Sequence, residues 1–483
     1  MSMTVEQYDT FEIAVTGEEL ERPYVDGKVE GIFESPAETK RVKGFYDGEN
    51  VYRVRFMPSF PGEYRYRIFG RGIPETQGHF TVTEREETNH GMVKATEDGF
   101  FQYSDGTPYY PVGTTCYAWV HQPRDMREKT VETLTKAPFN KIRMCVFPKH
   151  YVYNRIDPEL YPFPKSGETE KEWDLEAFDP AFFRNIEQCI QRLSKLGIEA
   201  DLILFHPYDK WGFSQLPAEV NDRYLDYVIA RFGAYRNVWW SLANEYDFLE
   251  KKTAEDWEHY GEYLQREDVY HHLIGVHNAI KIYDPEKPWL THLSIQNQEV
   301  REYAKMGREL REKYRKPVIF DEVGYEGNID AIWGSLPPKQ FLWRCYEAVF
   351  AGGYPTHGET YYSEAEDLWW SHGGDLKGES APRLAFLRRL LEETPGNGLE
   401  AVEMVWDDTA VRAKEDPGYL LFYYGLYCPV IREFYKLEED ADYHVEIIET
   451  WNMTVEDRGI LHGRFRLSLP GREGMLVRVR KIG

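Results

Sequence analysis

Residues Asn237 to Asp247 read NVWWSLANEYD, and the way this stretch is built decides the fold. Val238 to Leu242 is a short, apolar, β-prone run, followed by a small residue and then by Asn244 and Glu245. Such a run bounded by polar residues fits a strand buried on both faces, as in a parallel sheet. Two polar residues just past its C-terminal end stand where parallel barrels carry their functional groups. A second stretch has the same form. KPVIFDEVGYEG, from Lys316 to Gly327, is an apolar strand ending in Asp321 and Glu322. Two glutamates ending two different strands make a candidate carboxylate pair.

Working outward, short apolar runs alternate with helical segments from His90 to about residue 395, which is the pattern of a parallel α/β architecture. The candidate strands are TPYYPVGTTC, FNKIRMCVF, IEADLILF, VWWSL, LIGV, WLTHLSI, PVIFDE and GGYPTHG. Between them, PAFFRNIEQCIQRLSKLG (Pro180 to Gly197) sets apolar residues at helical spacing and closes on glycine. DRYLDYVIARFGAY is a second such helix, ahead of the Asn244–Glu245 strand. Eight strands over roughly 300 residues predict a (β/α)₈ TIM barrel, placed at residues 89–395.

The flanks read differently. In residues 1–88, FEIAV, VEGIFES, KRVKGFY, VYRVRFMP, YRYRIFG and GHFTVT are short alternating strands separated by turn residues, which predicts a β-sandwich. Pro61-Gly62-Glu63-Tyr64 looks like an immunoglobulin-type corner, in which a tyrosine hydroxyl caps a neighbouring loop. Two roles are open to this immunoglobulin-like domain, a buttress or a sugar-binding module. Residues 396–483 are again β-rich (LEAVEMVWD, GYLLFYYG, YHVEIIETWN, GRFRLSLP, MLVRVRKIG) and predict a small C-terminal β-sandwich.

Composition narrows the function classes. Lys and Arg total 58 against 82 Asp and Glu, a net charge of -24, which repels nucleic acid and anionic membranes. Aromatic residues make up 15% of the chain, too many for a disordered protein and enough to serve large cores, a sugar-stacking cleft, or both. The five cysteines are scattered without a zinc-like spacing, as expected of reduced thiols. No basic-then-apolar leader and no long apolar run is present, so a soluble, cytoplasmic protein is expected. The oligomeric state is not legible.

Glycoside hydrolysis with retention needs two carboxyl groups about 5–5.5 Å apart, one to attack the anomeric carbon and one to protonate the leaving oxygen. A barrel can supply one glutamate from each of two strand ends. In this respect the chain resembles the clan A retaining glycoside hydrolases, whose Asn-Glu pair ends strand four and whose nucleophilic Glu ends strand seven. With its flanking β domains it is more specifically similar to bacterial glycoside hydrolases with an immunoglobulin-like N-terminal domain and an apiosidase-like barrel. The resemblance implies Glu245 as general acid/base, Glu322 as nucleophile, and Asn244 as a ligand of the hydroxyl beside the anomeric centre. It implies a carbohydrate substrate and no cofactor. A helix-terminal carboxylate is the structural alternative for Glu245. For Glu322 the competitors are Asp321, which strand alternation turns the other way, and Glu326, which lies past a glycine.

Other strand ends add polar groups. Arg143 lies on strand two, where clan members often carry an arginine supporting the nucleophile; an outer salt bridge is its alternative. His206 ends strand three, His277 ends strand five and His292 lies on strand six, each a substrate ligand or a structural histidine. Their spacing argues against a metal. Trp119 and Tyr117 after strand one, and Trp369 and Trp370 after strand eight, are sugar-stacking candidates, with interdomain packing as the alternative. Tyr208 and Asp209 are further cleft candidates. The chain departs from the clan pattern at strand six, which has His292-Leu293-Ser294 in place of a His-x-Tyr whose hydroxyl touches the nucleophile. It departs again at strand eight, where Pro355-Thr356-His357-Gly358-Glu359 replaces a terminal tryptophan, leaving His357 and Glu359 as candidate sugar ligands. A non-catalytic carbohydrate-binding protein and a transglycosylase are the rival readings.

Overall fold

The computed structural model describes residues 3–297, 303–402 and 409–482. Eight parallel strands form the centre: Gly113–Thr115, Lys141–Cys145, Glu199–Phe205, Val238–Ala243, Ile274–Gly275, Leu293–Gln296, Val318–Glu322 and Tyr354–His357. They are barrel strands one to eight. Each pairs with its neighbour in sequence, and strand one pairs with strand eight. A parallel bridge between His277 and Ser294 joins strands five and six and closes the ring. Strands two, three and four are buried at every residue, which is why they read as apolar runs without alternation.

Helices cover the outside after every strand except the fifth; residues 276–292, all described, link strands five and six without one. The helix Pro180–Lys195 begins as its sequence dictates. Asp179 accepts the Ala181 amide at 2.8 Å, proline takes the first turn, and Gly197 follows at φ +67. A hairpin of Val93–Ala95 and Phe101–Tyr103 plugs the N-terminal end of the barrel. Phe101 meets Trp239, His292 and Tyr354 there, with ring centroids 5.2, 5.9 and 5.6 Å apart.

The N-terminal domain has seven strands between Met3 and Thr83. Strand Thr39–Tyr46 pairs through Thr39–Lys43 with Val29–Glu34 and through Gly44–Tyr46 with Val51–Phe56, so the sheet folds over itself. Phe11 stacks on Phe80 and Phe33 on Phe56 across the resulting core. Tyr64 donates to the Phe60 carbonyl at 3.1 Å and to Glu38 at 2.6 Å, so its hydroxyl does cap the preceding loop. The edge strand Met3–Glu6, not foreseen from the sequence, pairs parallel to Thr76–Thr83.

At the other end, six strands form one antiparallel sheet and Ile431–Glu433 pairs with Arg466–Ser468 as a separate ribbon. Of the expected strand LEAVEMVWD, Leu399–Val402 is a strand and residues 403–407 lie outside the described residues. Strand Thr454–His462 was not foreseen, because its mostly exposed, polar residues show no apolar alternation. Val411, Leu421 and Tyr423 join the barrel's core, whereas Ala410, Leu420 and Phe422 face the domain's own. Tyr423 stacks on Tyr346 of the helix Pro338–Phe350.

A buried charge cluster binds the N-terminal domain to the barrel. Arg231, fully buried, lies 2.8 Å from Asp47 of the N-terminal domain and 2.8 Å from Glu187 of the barrel. Arg55 donates to the Arg231 carbonyl at 2.6 Å. Removing the central cation takes one partner from each of two buried carboxylates, leaving Asp47 to Arg53 and Arg184, and Glu187 to Arg55. Arg231→Ala is expected to cost about 3 kcal/mol, read as a lowered midpoint in thermal or urea unfolding.

Candidate active site

Glu245 and Glu322 meet at the C-terminal end of the barrel, in a cavity of about 210 Å³. Asn244, Gln296, Tyr117, Lys149, Tyr151, Tyr208, Phe248, Tyr325, Trp333 and Trp370 line the rest of it. Beneath lies Arg143, fully buried on strand two. Its Nη2 donates to Asn244 Oδ1 at 2.9 Å, Nη1 stands 3.6 Å from Glu322 Oε1, and Nε stands 3.7 Å from Asp321. Lower still, Lys141 is held between Asp201 at 2.7 Å and Asp321 at 2.9 Å. The barrel interior is a ladder of alternating charge.

Asp321 belongs to that ladder, so simple alternation does not turn it away from Glu322. The pairing of strands six and seven slips between Ile295 and Gln296, where Gln296 comes opposite Glu322 rather than Asp321. An irregularity of this kind re-aims side chains at a strand end. Both Asp321 and Glu322 consequently reach Arg143. The other competitor, Glu326, accepts the Glu379 and Ser380 amides at 2.7 and 3.0 Å and caps the helix Ser380–Glu392.

Four groups surround Glu322. Tyr117 donates its hydroxyl to Oε1 and lies 3.2 Å from Asn244 Oδ1. His277 Nε2 is 3.5 Å from the same Oε1, while its Nδ1 is 3.0 Å from Ser294 Oγ, which donates to Asp321 at 2.6 Å. With its amide nitrogen turned to the carboxylates, Gln296 donates to Glu322 Oε2 at 3.1 Å and to Glu245 Oε1 at 3.2 Å. Burial pushes the Glu322 carboxyl up, but His277, Arg143 and Tyr117 together pull it down to about 2.

Glu245 has the opposite bias. Burial first, and then the negative charge of Glu322, raise its pKa, with Tyr208 opposing them by donating its hydroxyl to Oε2. Its backbone lies in the left-handed region at φ +49, an uncommon conformation for a residue with a side chain. One carboxyl is biased to stay neutral and the other to stay ionised.

The remaining candidates divide. Trp370 lines the cavity, its ring centroid 5.5 Å from Tyr117 and 5.3 Å from Trp333, on a short helix (Trp369–His372) rather than a loop. Trp369 points into the core and donates to Thr114 at 2.8 Å. Trp119 is likewise a core residue, with Nε1 3.2 Å from Met144 Sδ. His206 is buried against the Phe147 carbonyl at 3.1 Å, and burial lowers it to about 4. His292 precedes strand six, so it lies by the plug at the opposite end of the barrel; a Cβ on Gly275 would come within 2.6 Å of its ring. His357 turns outward onto Phe139 and Thr114. Glu359 accepts the Gly378 amide at 2.9 Å and Asp209 the Trp211 amide at 2.7 Å, both organising loops. None of these seven lines the cavity.

The site residues missed in the sequence are Gln296, Lys149, Tyr151, Phe248, Tyr325 and Trp333. Only Gln296 left a signal, as the polar end of strand six. Tyr117, expected as a stacking platform, instead supplies from just past strand one the hydroxyl on Glu322 that strand six lacks. Among the described residues, no group of three or more His, Cys, Asp or Glu side chains is placed to hold a metal ion, and no helix is long and apolar enough to cross a membrane.

Comparison with known proteins places this barrel. Residues 95–407 match the family described as "Apiosidase-like, catalytic domain". Residues 4–71 and 406–480 match two domains of unknown function, DUF5060 and DUF5605. A crystal structure from Bacteroides vulgatus, described as that of a "putative glycoside hydrolase", is 39% identical over 100% of both chains, with a TM-score of 0.94. A glycoside hydrolase family 5 structure, also from Bacteroides vulgatus, shares the fold at 14% identity and a TM-score of 0.61, over 81% of this chain and 93% of its own. No curated protein sequence matches the chain. The chain belongs to the apiosidase-like family, and its barrel is built as in glycoside hydrolases.

Proposed function

We propose that the protein is a retaining glycoside hydrolase acting on oligo- or polysaccharides by double displacement. The observation that carries this reading is the placement of Gln296, whose single amide nitrogen lies 3.1 Å from Glu322 and 3.2 Å from Glu245. The sum of those two distances caps the gap between the nearest carboxylate oxygens. A gap so bounded admits the ~5–5.5 Å of retaining pairs. Family membership and the 39% identical relative, described as a putative glycoside hydrolase, support a sugar-cleaving site.

In the first step Glu322 attacks the anomeric carbon as Glu245 gives its proton to the leaving oxygen, and a glycosyl ester forms on Glu322. Arg143, Tyr117 and His277 keep the nucleophile ionised until then. Ester formation cancels the charge that raises Glu245, so the acid becomes a better base when water must be activated. Water then attacks the anomeric carbon as Glu245 takes its proton, the bond to Glu322 breaks, and the sugar leaves with retained configuration. Asn244 offers its Nδ2 to the adjacent sugar hydroxyl, since its Oδ1 is already engaged by Arg143 and Tyr117.

Glu245→Gln and Glu322→Gln are each expected to lower kcat by about 10²-fold or more on an unactivated substrate. A panel of 2-fluoro glycosyl inactivators, with peptide mass mapping, is expected to label Glu322. A label elsewhere, or more than about a tenth of the rate left in either variant, would overturn the assignment. A second test concerns Tyr208. Its hydroxyl stabilises ionised Glu245, so Tyr208→Phe raises the pKa of the acid and moves the alkaline limb of kcat/KM to higher pH. An unmoved or lowered limb would exclude Glu245 as the titrating acid.

A further inference from the structure

The cavity holds a cation that the double displacement does not use. Lys149, just past strand two, is buried and lines the cavity with both glutamates. Its Nζ lies 3.5 Å from the ring centre of Tyr117, 4.6 Å from those of Tyr208 and Trp370, and 5.7 Å from that of Tyr151. The other interior cations have carboxylates at hand, Lys141 with two and Arg143 with three. Among the described residues no carboxylate comes within ion-pair distance of Lys149. Ring faces stabilise and position an ammonium without cancelling its charge.

We propose that Lys149 is a specificity residue that binds an anionic group on the sugar held beside Glu245 and Glu322, a uronate carboxylate or a sulfate ester. This inference rests on the glycosidase reading. A hydroxyl can be held by tyrosine or asparagine, which this cavity already offers, whereas a desolvated full charge is best matched by an opposite charge. Burial draws the lysine down to about 8, with Cys145, Glu245 and Glu322 opposing, so it remains largely protonated at neutral pH. The chain carries a net charge of -24, so an anionic ligand gains from a local cation that offsets the surrounding field.

Trp333 and Trp370 in the cavity wall provide a fluorescence signal for binding without turnover. Glucuronate, galacturonate and mannuronate, the 6-sulfates of the parent hexoses, and the neutral parents would be titrated into wild-type protein, Lys149→Met and Lys149→Arg. At least one anionic sugar is expected to bind wild type tenfold or more tightly than its neutral parent. That gap should collapse in Lys149→Met and largely persist in Lys149→Arg, and the uronate and sulfate arms identify the anion. Absence of an anionic preference in wild type, including absence of binding, would overturn the proposal whatever the variants do. So would a gap that survives in well-folded Lys149→Met. Labelling of Glu322 by a 2-fluoro glycoside is read separately, so failure here leaves the hydrolase reading to its own test.

Discussion

Everything at the C-terminal end of this barrel depends on one buried guanidinium. Arg143 is fully buried, and a buried cation persists only where opposite charge and acceptors surround it. Asp321 and Asp201 meet its Nε side, while Asn244 and Glu322 meet the fork. The residues that neutralise the arginine are therefore the ones that present the site. Lys141, one layer down, allows Asp201 and Asp321 to be charged in the first place. A ladder of this kind differs from the branched apolar layers common in such barrels, and it fixes Glu322 from below.

The network above the arginine reaches a familiar electrostatic outcome by an unfamiliar route. A tyrosine hydroxyl on Glu322 arrives from just past strand one as Tyr117, whereas the clan pattern puts it on strand six. Strand six uses its end differently. Its register slip brings Gln296 between the two glutamates, and Ser294 links His277 to Asp321. Each residue around Glu322 also holds a second partner, Arg143 and Tyr117 on Asn244, His277 on Ser294 and Gln296 on Glu245, so the set is held in place rather than merely close.

What could be read from the sequence follows from this architecture. The strands were legible because burial on both faces leaves apolar runs, and Glu245 and Glu322 because strand ends aim at one rim. The histidines show where such reading fails. A strand-end position says nothing about which way a side chain turns, and His206 and His357 turn outward into packing, each lowered by burial. His292 was misplaced by an end-for-end error, since the strand begins only at Leu293. Asp321 escaped because period-two alternation assumes an unbroken ladder. Lys149 lies on a long loop and Trp333 on a single 3₁₀ turn, too short for any periodicity to report on direction.

The last constraint concerns Glu245 itself. A non-glycine residue at φ +49 costs of order 1 kcal/mol or more and persists only where its surroundings over-determine it. They do so here. The Tyr246 amide donates to the His277 carbonyl at 3.0 Å, and Asp247 accepts the amides of Ala279, Ile280 and Lys281 at 2.6, 2.8 and 2.8 Å. The link between strands five and six, which has no helix to anchor it, is thus tied to the turn that carries Glu245. Held this way, Glu245 stays close enough to Glu322 to feel its charge, and the opposed protonation of the two carboxyls becomes a property of the frame.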